Sequence, residues 1–115
     1  MARALVCLCC AADSLDADLR IVGSYRGKAD LLELRADHLR PDELARADQF
    51  PRRVDLPVIL TIRRVRDGGL FAGTERDRLA LLQRLVKGGF RYVDIEEDLD
   101  APIADTTPPE DEKEE

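Results

Sequence analysis

In 115 residues the chain has no tryptophan, one methionine, one histidine and only 4% aromatic residues. Arginine is abundant, since Lys28, Lys87 and Lys113 are the only lysines among 18 basic residues. The basic residues are nevertheless scattered, without the dense clusters interleaved with aromatics that a nucleic-acid surface needs, so nucleic acid is excluded as a partner. Long apolar runs are also missing. The longest are about five to seven residues, against roughly 20 needed to span a bilayer, and no secretory h-region follows Met1. The expectation is a cytoplasmic chain with no membrane partner.

Cysteine is scarce and oddly placed. Cys7, Cys9 and Cys10 share one apolar run, an odd number at a spacing that suits neither a disulfide framework nor a zinc site. They read as buried strand thiols, with no neighbouring base to activate a nucleophile. Cys7 and Cys9 would share a strand face, where a thiol can line a pocket without reacting.

The length fits one small domain and excludes a complete eight-stranded βα-barrel, which takes roughly 250 residues. With 44% hydrophobic and 37% charged residues the composition is globular. The formal charge of -6 is uneven: residues 108–115 hold five acids and Lys113, or -4, leaving -2 for the rest. Residues 1–99 read as one folded unit. Residues 100–115, acidic and containing Pro102, Pro108 and Pro109, read as a disordered tail.

Periodicity gives four strands separated by helical connections. Ala4 to Cys10 is the first β-compatible run; Leu15, Leu19 and Val22 then recur at helical spacing, with Ser14 or Asp13 as cap and Gly27 as stop. Leu31 to Asp37 alternates strictly, Leu32, Leu34 and Ala36 against Glu33, Arg35 and Asp37. A short helix starts at Pro41 and ends at Pro51. Val58 to Arg64 is a third strand, with Ile59, Thr61 and Arg63 on one face. After a loop over 65–73, Thr74 caps a helix with Asp77 three residues on; its stripe is Leu79, Leu82, Leu85 and Val86, and Gly88–Gly89 stops it. Tyr92 to Glu97 is the fourth strand, with Val93 and Ile95 on the helix side. The consequence is an α/β fold with a parallel sheet.

In a doubly wound sheet both faces are covered, and strands read as continuous apolar runs. Three of these strands instead alternate with charge. Their polar sides collect Glu33, Arg35, Asp37, Thr61, Arg63, Asp94 and Glu96 on one surface. Unpaired burial would cost several kcal/mol per charge, so these groups must pair, face water or hold a ligand. Alternation leaves open whether the wall is a salt-bridged lattice or a site. As a site, Arg35 and Arg63 would form a two-pronged clamp for a carboxylate or polyol, each oriented by an acidic neighbour.

Three segments carry a resemblance: Glu33-Leu-Arg35-Ala-Asp37; Pro57-Val-Ile-Leu-Thr61-Ile-Arg63-Arg with Asp67-Gly68-Gly69; and Val93-Asp94-Ile-Glu96. Their order and spacing resemble the N-terminal half of type I 3-dehydroquinate dehydratase, over about residues 4 to 99. The resemblance implies half of a TIM-type βα-barrel with about four parallel strands. It also implies a lyase ancestry in the shikimate pathway: 3-dehydroquinate loses water to give 3-dehydroshikimate through a lysine Schiff base, with a His as acid and base and no metal or cofactor. Glu33, Arg35 and Arg63 are implied to bind 3-dehydroquinate or a similar small polyol carboxylate.

Cys7, Asp37, His38 and Asp67 are implied at the site edge. Cys7 takes a position where relatives often carry a substrate-contacting Ser, and Asp67 one where they often carry a Glu that positions the catalytic His. His38 is near the site but not at the catalytic position. The family's Schiff-base Lys and catalytic His belong to the second half of the barrel, so the chain is expected to have no catalytic residues of its own and to be inactive alone. Lys28, Lys87 and Lys113 are not placed to form an imine, and the loop at Gly68–Gly69 lacks the spacing of a phosphate loop and reads as a mobile substrate-side loop. An open four-stranded sheet would associate with a complementing C-terminal half or with itself. Two other readings stay open: a non-catalytic binding or regulatory module for a small carboxylate, and an unrelated α/β domain.

Overall fold

The computed structural model of the chain describes residues 4–96. The expected tail over 100–115, with Lys113, lies outside the described residues. The elements in chain order are β1 (Cys7–Cys10), α1 (Leu15–Ser24), β2 (Leu31–Arg35), α2 (Pro41–Leu44), β3 (Val58–Thr61), α3 (Glu75–Leu85) and β4 (Tyr92–Asp94). Short 3-10 segments follow β2, α2, β3 and α3.

All strand pairs are parallel and the sheet order is β1-β2-β3-β4. Each strand therefore lies beside the next in sequence, without the order reversal of a doubly wound sheet, as expected for part of a βα-barrel. Alternation decides which face is covered. Leu32, Leu34, Val58, Leu60 and Ile62 are buried in one core with Leu15, Phe50, Leu82 and Leu85. The partly buried Leu19, Leu79, Leu81, Val86 and Val93 pack against it. Glu33, Arg35, Ile59 and Arg63 lie half-buried opposite.

Local capping follows the sequence. Ser14 Oγ accepts from the Ala17 amide at 3.2 Å, and Thr74 Oγ1 accepts from the Asp77 amide at 3.0 Å. Gly89 ends the turn after α3 at φ 104, a conformation that suits glycine. Gly27, at φ 81, stands in the turn beyond α1 rather than at its end, because α1 stops at Ser24.

Several expectations need correction. Cys7 and Cys9 are exposed and only Cys10 is buried, because β1 is a sheet edge and its polar-side face carries no helix. Pro51 does not end a helix. α2 closes after four residues, and Pro51 sits inside the 3-10 segment Ala47–Arg53, whose Phe50 fills the core. β2 stops at Arg35, so Asp37 belongs to the 3-10 turn Ala36–His38. β4 stops at Asp94, and Ile95 is 44% exposed rather than on the packed side. Among the described residues no helix is long and apolar enough to cross a membrane.

Candidate active site

Parallel register stacks the polar face into rows. Cys9, Glu33, Ile59 and Tyr92 form one, and Arg35, Thr61 and Asp94 the next toward the C-terminal strand ends. In barrels of this kind the strand ends on that side build the site. Thr61 donates its hydroxyl hydrogen to Glu33 Oε2 at 2.7 Å. Arg63 Nη2 donates to Asp94 Oδ2 at 2.7 Å and lies 4.0 Å from Glu33 Oε2. Glu33, Thr61, Arg63 and Asp94 thus form one linked group across three strands.

Arg35 is fixed separately. Its Nε and Nη2 donate to the two Asp37 oxygens at 3.1 and 2.8 Å, a side-on bidentate pair. The Asp37 side chain is 0% exposed, and its Oδ2 also accepts from the Leu70 amide at 3.1 Å. Burial pushes this carboxyl up, but the Arg35 guanidinium and the Leu70 and Arg63 amides outweigh it and hold the carboxyl below its ordinary range. Asp37 in turn raises Arg35. Arg35 Nη1 has no acceptor among the described residues. The wall is therefore internally paired and still presents donors outward.

The loop after β3 is tied down rather than free. Gly69 N donates to Arg64 O at 2.8 Å, Phe71 N to Arg63 O at 3.0 Å and Val65 N to Phe71 O at 3.2 Å. An added Cβ at Gly69 would lie 2.2 Å from Arg63 O, so only glycine permits this closeness.

At the site edge, His38 Nε2 is 3.9 Å from Asp37 Oδ2 and its side chain is 29% exposed. Asp67 is committed to Arg64, whose Nε donates to its Oδ2 at 2.6 Å. Burial first, and then the Glu33 carboxylate, raise the Cys7 and Cys9 thiols above the ordinary thiol range, so both stay protonated. Lys28 and Lys87 are exposed in turns before β2 and β4, at the other end of the sheet. Among the described residues no group of three or more His, Cys, Asp or Glu gathers to hold a metal ion. A cavity of about 440 Å³ opens on the helix side, lined by Leu19, Val22, Leu32, Val54 and Leu56 among others, away from the wall.

Glu96 leaves the wall to which alternation assigned it. Arg78, on α3 and 0% exposed, donates to Glu96 Oε1 at 2.7 Å because β4 ends before Glu96 and its alternation lapses. Two further buried acids escaped the sequence reading. Glu43 Oε1 accepts from the Leu15 amide at 2.7 Å, capping α1 from α2. Asp18 is 0% exposed; its Oδ1 accepts from Ala12 N at 2.9 Å, while its Oδ2 has no hydrogen-bond partner. Both Asp18 and Arg78 stand on the apolar stripes of their helices, three residues after Leu15 and four before Leu82, which was the available signal.

Comparison with known proteins gives the family and the fold. The family model described as type I 3-dehydroquinase matches residues 6–113. A 3-dehydroquinate dehydratase of Desulfotalea psychrophila is 42% identical over 83 residues, covering 72% of this chain and 33% of that protein. One of Syntrophobacter fumaroxidans is 35% identical over 106 residues, 86% of this chain and 44% of the relative. The crystal structure of a type I 3-dehydroquinate dehydratase of Clostridium difficile, with covalently modified comenic acid, superposes with a TM-score of 0.72 at 17% identity. It covers 84% of this chain and 42% of that one, so the fold is about half of that barrel. The chain spans less than half the length of the curated relatives it matches here.

Proposed function

The chain belongs to the type I 3-dehydroquinase family, and on that premise we propose that its charged wall is one half of a dehydratase substrate site. The ligand is 3-dehydroquinate or a similar small polyol carboxylate. Glu33, Arg35 and Arg63 bind it, and Cys7, Asp37, His38 and Asp67 frame it. One observation carries the reading: Arg35 ends β2 and Arg63 stands just beyond the neighbouring β3, each oriented by its own carboxylate, Asp37 or Asp94. Guanidinium donors held in this way offer planar forks to a carboxylate and to ring hydroxyls. Glu33, already accepting from Thr61, supplies an acceptor for a substrate hydroxyl.

In the family's reaction an imine serves as electron sink while a His moves the protons, and 3-dehydroquinate loses water to give 3-dehydroshikimate. In this reading the wall binds and orients, and the Lys and His belong to the other half of the barrel. Lys28 and Lys87, exposed at the opposite end of the sheet, do not replace them. The 115-residue polypeptide is expected to bind without turnover, in a cytoplasmic biosynthetic setting. The sheet edges are β1 and β4, with Leu5, Val6, Tyr92 and Ile95 exposed beside them. The partner that suits those edges is a complementing C-terminal half-barrel, or a second copy when that half is missing.

The test is to titrate 3-dehydroquinate into the polypeptide, following heat of binding, the enone absorbance of product and lysine adducts trapped by borohydride. Saturable binding without enone or adduct is expected, weakened about tenfold by Arg35→Gln or Arg63→Gln. Turnover with a trapped lysine would overturn the expected inactivity. No binding, alone or with the C-terminal half of a relative added, would sink the substrate assignment.

A further inference from the structure

The Asp37 carboxylate joins two parts of the wall that the chain otherwise keeps separate. Arg35 reaches it from the end of β2, and the Leu70 amide reaches it from the loop after β3, 33 residues away. The Arg63 amide adds to the pull that keeps the same carboxylate ionised. A single oxygen, Oδ2, accepts from both Arg35 Nη2 at 2.8 Å and Leu70 N at 3.1 Å. The side chain is 0% exposed, so water does not compete for these lone pairs. A buried carboxylate held by several donors has one orientation, and a donor that shares it inherits that orientation.

We propose that Asp37 is a positioning residue that mechanically couples Arg35 to the loop from Arg63 to Leu70. Side-on pairing consumes the Nε and one Nη2 hydrogen of Arg35, which turns the Nη1–Nη2 edge outward as the ligand-facing fork. The same anchor sets the height of the loop, whose close approach to β3 at Gly69 already forbids a side chain. A carboxylate ligand that seats on Arg35 thereby also orders the loop, and a loop displacement reorients Arg35. The coupling within the protein stands on contacts alone; its role in ligand binding rests on the proposed substrate site.

Amide hydrogen exchange and the arginine Nε–H signals of the 115-residue polypeptide test the coupling without any ligand. In Asp37→Asn the Leu70 amide is expected to lose about tenfold or more of its protection and the Arg35 Nε–H signal to broaden. The Leu32 amide, which donates to Pro57 O at 2.9 Å in the sheet, serves as the internal reference and should change far less. Arg35→Lys is the decisive second variant, since it leaves Asp37 and its Leu70 backbone donor in place. Coupling predicts that it too lowers Leu70 protection several-fold relative to Leu32.

Unchanged Leu70 protection in Arg35→Lys would overturn the proposal, as would an equal fall at Leu70 and Leu32 in both variants, which marks a purely structural loss. Should Asp37→Asn fail to fold, the Arg35→Lys result alone decides. Adding 3-dehydroquinate to the wild type gives a separate outcome. Absence of binding with the exchange effects intact would defeat the substrate reading and leave the coupling standing.

Discussion

Arg78 meets Glu96 with its Nη2 2.7 Å from Oε1, and this contact completes the hydrogen bonding of a fully buried guanidinium. Nε and Nη2 also donate to Glu75 at 3.0 and 2.9 Å, and Nη1 donates to Ile62 O at 2.8 Å and to Glu96 Oε2 at 3.5 Å. All five N–H groups therefore have acceptors, the condition under which a buried charge is tolerated. The pair clips the chain beyond β4 to α3 and to the end of β3.

Arg78→Leu should accordingly cost about 3–5 kcal/mol, because it strands Ile62 O and leaves two carboxylates without their cation. Glu96→Gln, which keeps an acceptor, should cost only about 1 kcal/mol. Urea unfolding of both variants checks the order. Equal, small losses would mean that the guanidinium is not a structural clip.

Asp18 makes the stability of the chain depend on pH. Burial raises its carboxyl to about 6, with the Ala12 amide pulling it down and Asp13 pushing it up. A carboxyl raised above its unfolded value near 3.8 favours folding when protonated, so stability falls as pH rises from about 4 to 6 and is level above that. The orphaned Oδ2 is the structural cause. Asp18→Asn removes the buried charge and should stabilise the chain by about 1–2 kcal/mol at pH 7, with little effect at pH 4. Thermal melts at the two pH values decide it; a variant less stable at pH 7 would show that the charge has a partner after all.

The fold was legible where a period repeated over a whole element. Leu32, Leu34 and Ala36 alternate with Glu33, Arg35 and Asp37, and the first three are buried as that alternation requires. The wall was legible for the same reason. Glu96 failed because alternation was extended two residues past the end of β4 at Asp94. Asp18 and Arg78 were not legible because charged residues ordinarily stand on the solvent side, whereas helical spacing put both on the buried stripe. Two exposed cysteines failed because an apolar run does not reveal that its strand is a sheet edge. Pairing partners such as Leu70 with Asp37 lie 33 residues apart and leave no local pattern.

Gly69 is required by space rather than by backbone angle. A methyl group there would sit 2.2 Å from Arg63 O and 2.5 Å from its carbonyl carbon, both main-chain atoms that cannot swing aside. Gly69→Ala must therefore push the loop off β3, breaking the Gly69 to Arg64 bond at 2.8 Å and stretching Leu70 from Asp37. A loss of about 1–3 kcal/mol is expected, together with faster exchange of the Leu70 amide. Retained stability with unchanged exchange would contradict this packing. Gly68→Ala is a useful contrast, since nothing crowds its Cβ and its φ of 88 is the whole of its penalty.

The thiols give a chemical test of the open face. Cys7 and Cys9 are exposed while Cys10 is buried, so an aromatic disulfide reagent should titrate two thiols in the folded chain and three in guanidinium. The two accessible thiols should nevertheless react more slowly than free cysteine at pH 8, because burial and the Glu33 carboxylate raise both and leave less thiolate. Cys10, pushed up to about 12 chiefly by burial, should stay silent until unfolding. Glu33→Gln removes one of the raising charges and should speed the reaction of Cys7 and Cys9 without exposing Cys10. If Cys7 and Cys9 become protected when a complementing half-barrel is added, the polar face is the surface that the partner encloses. Full reactivity in the assembled protein would place the partner elsewhere.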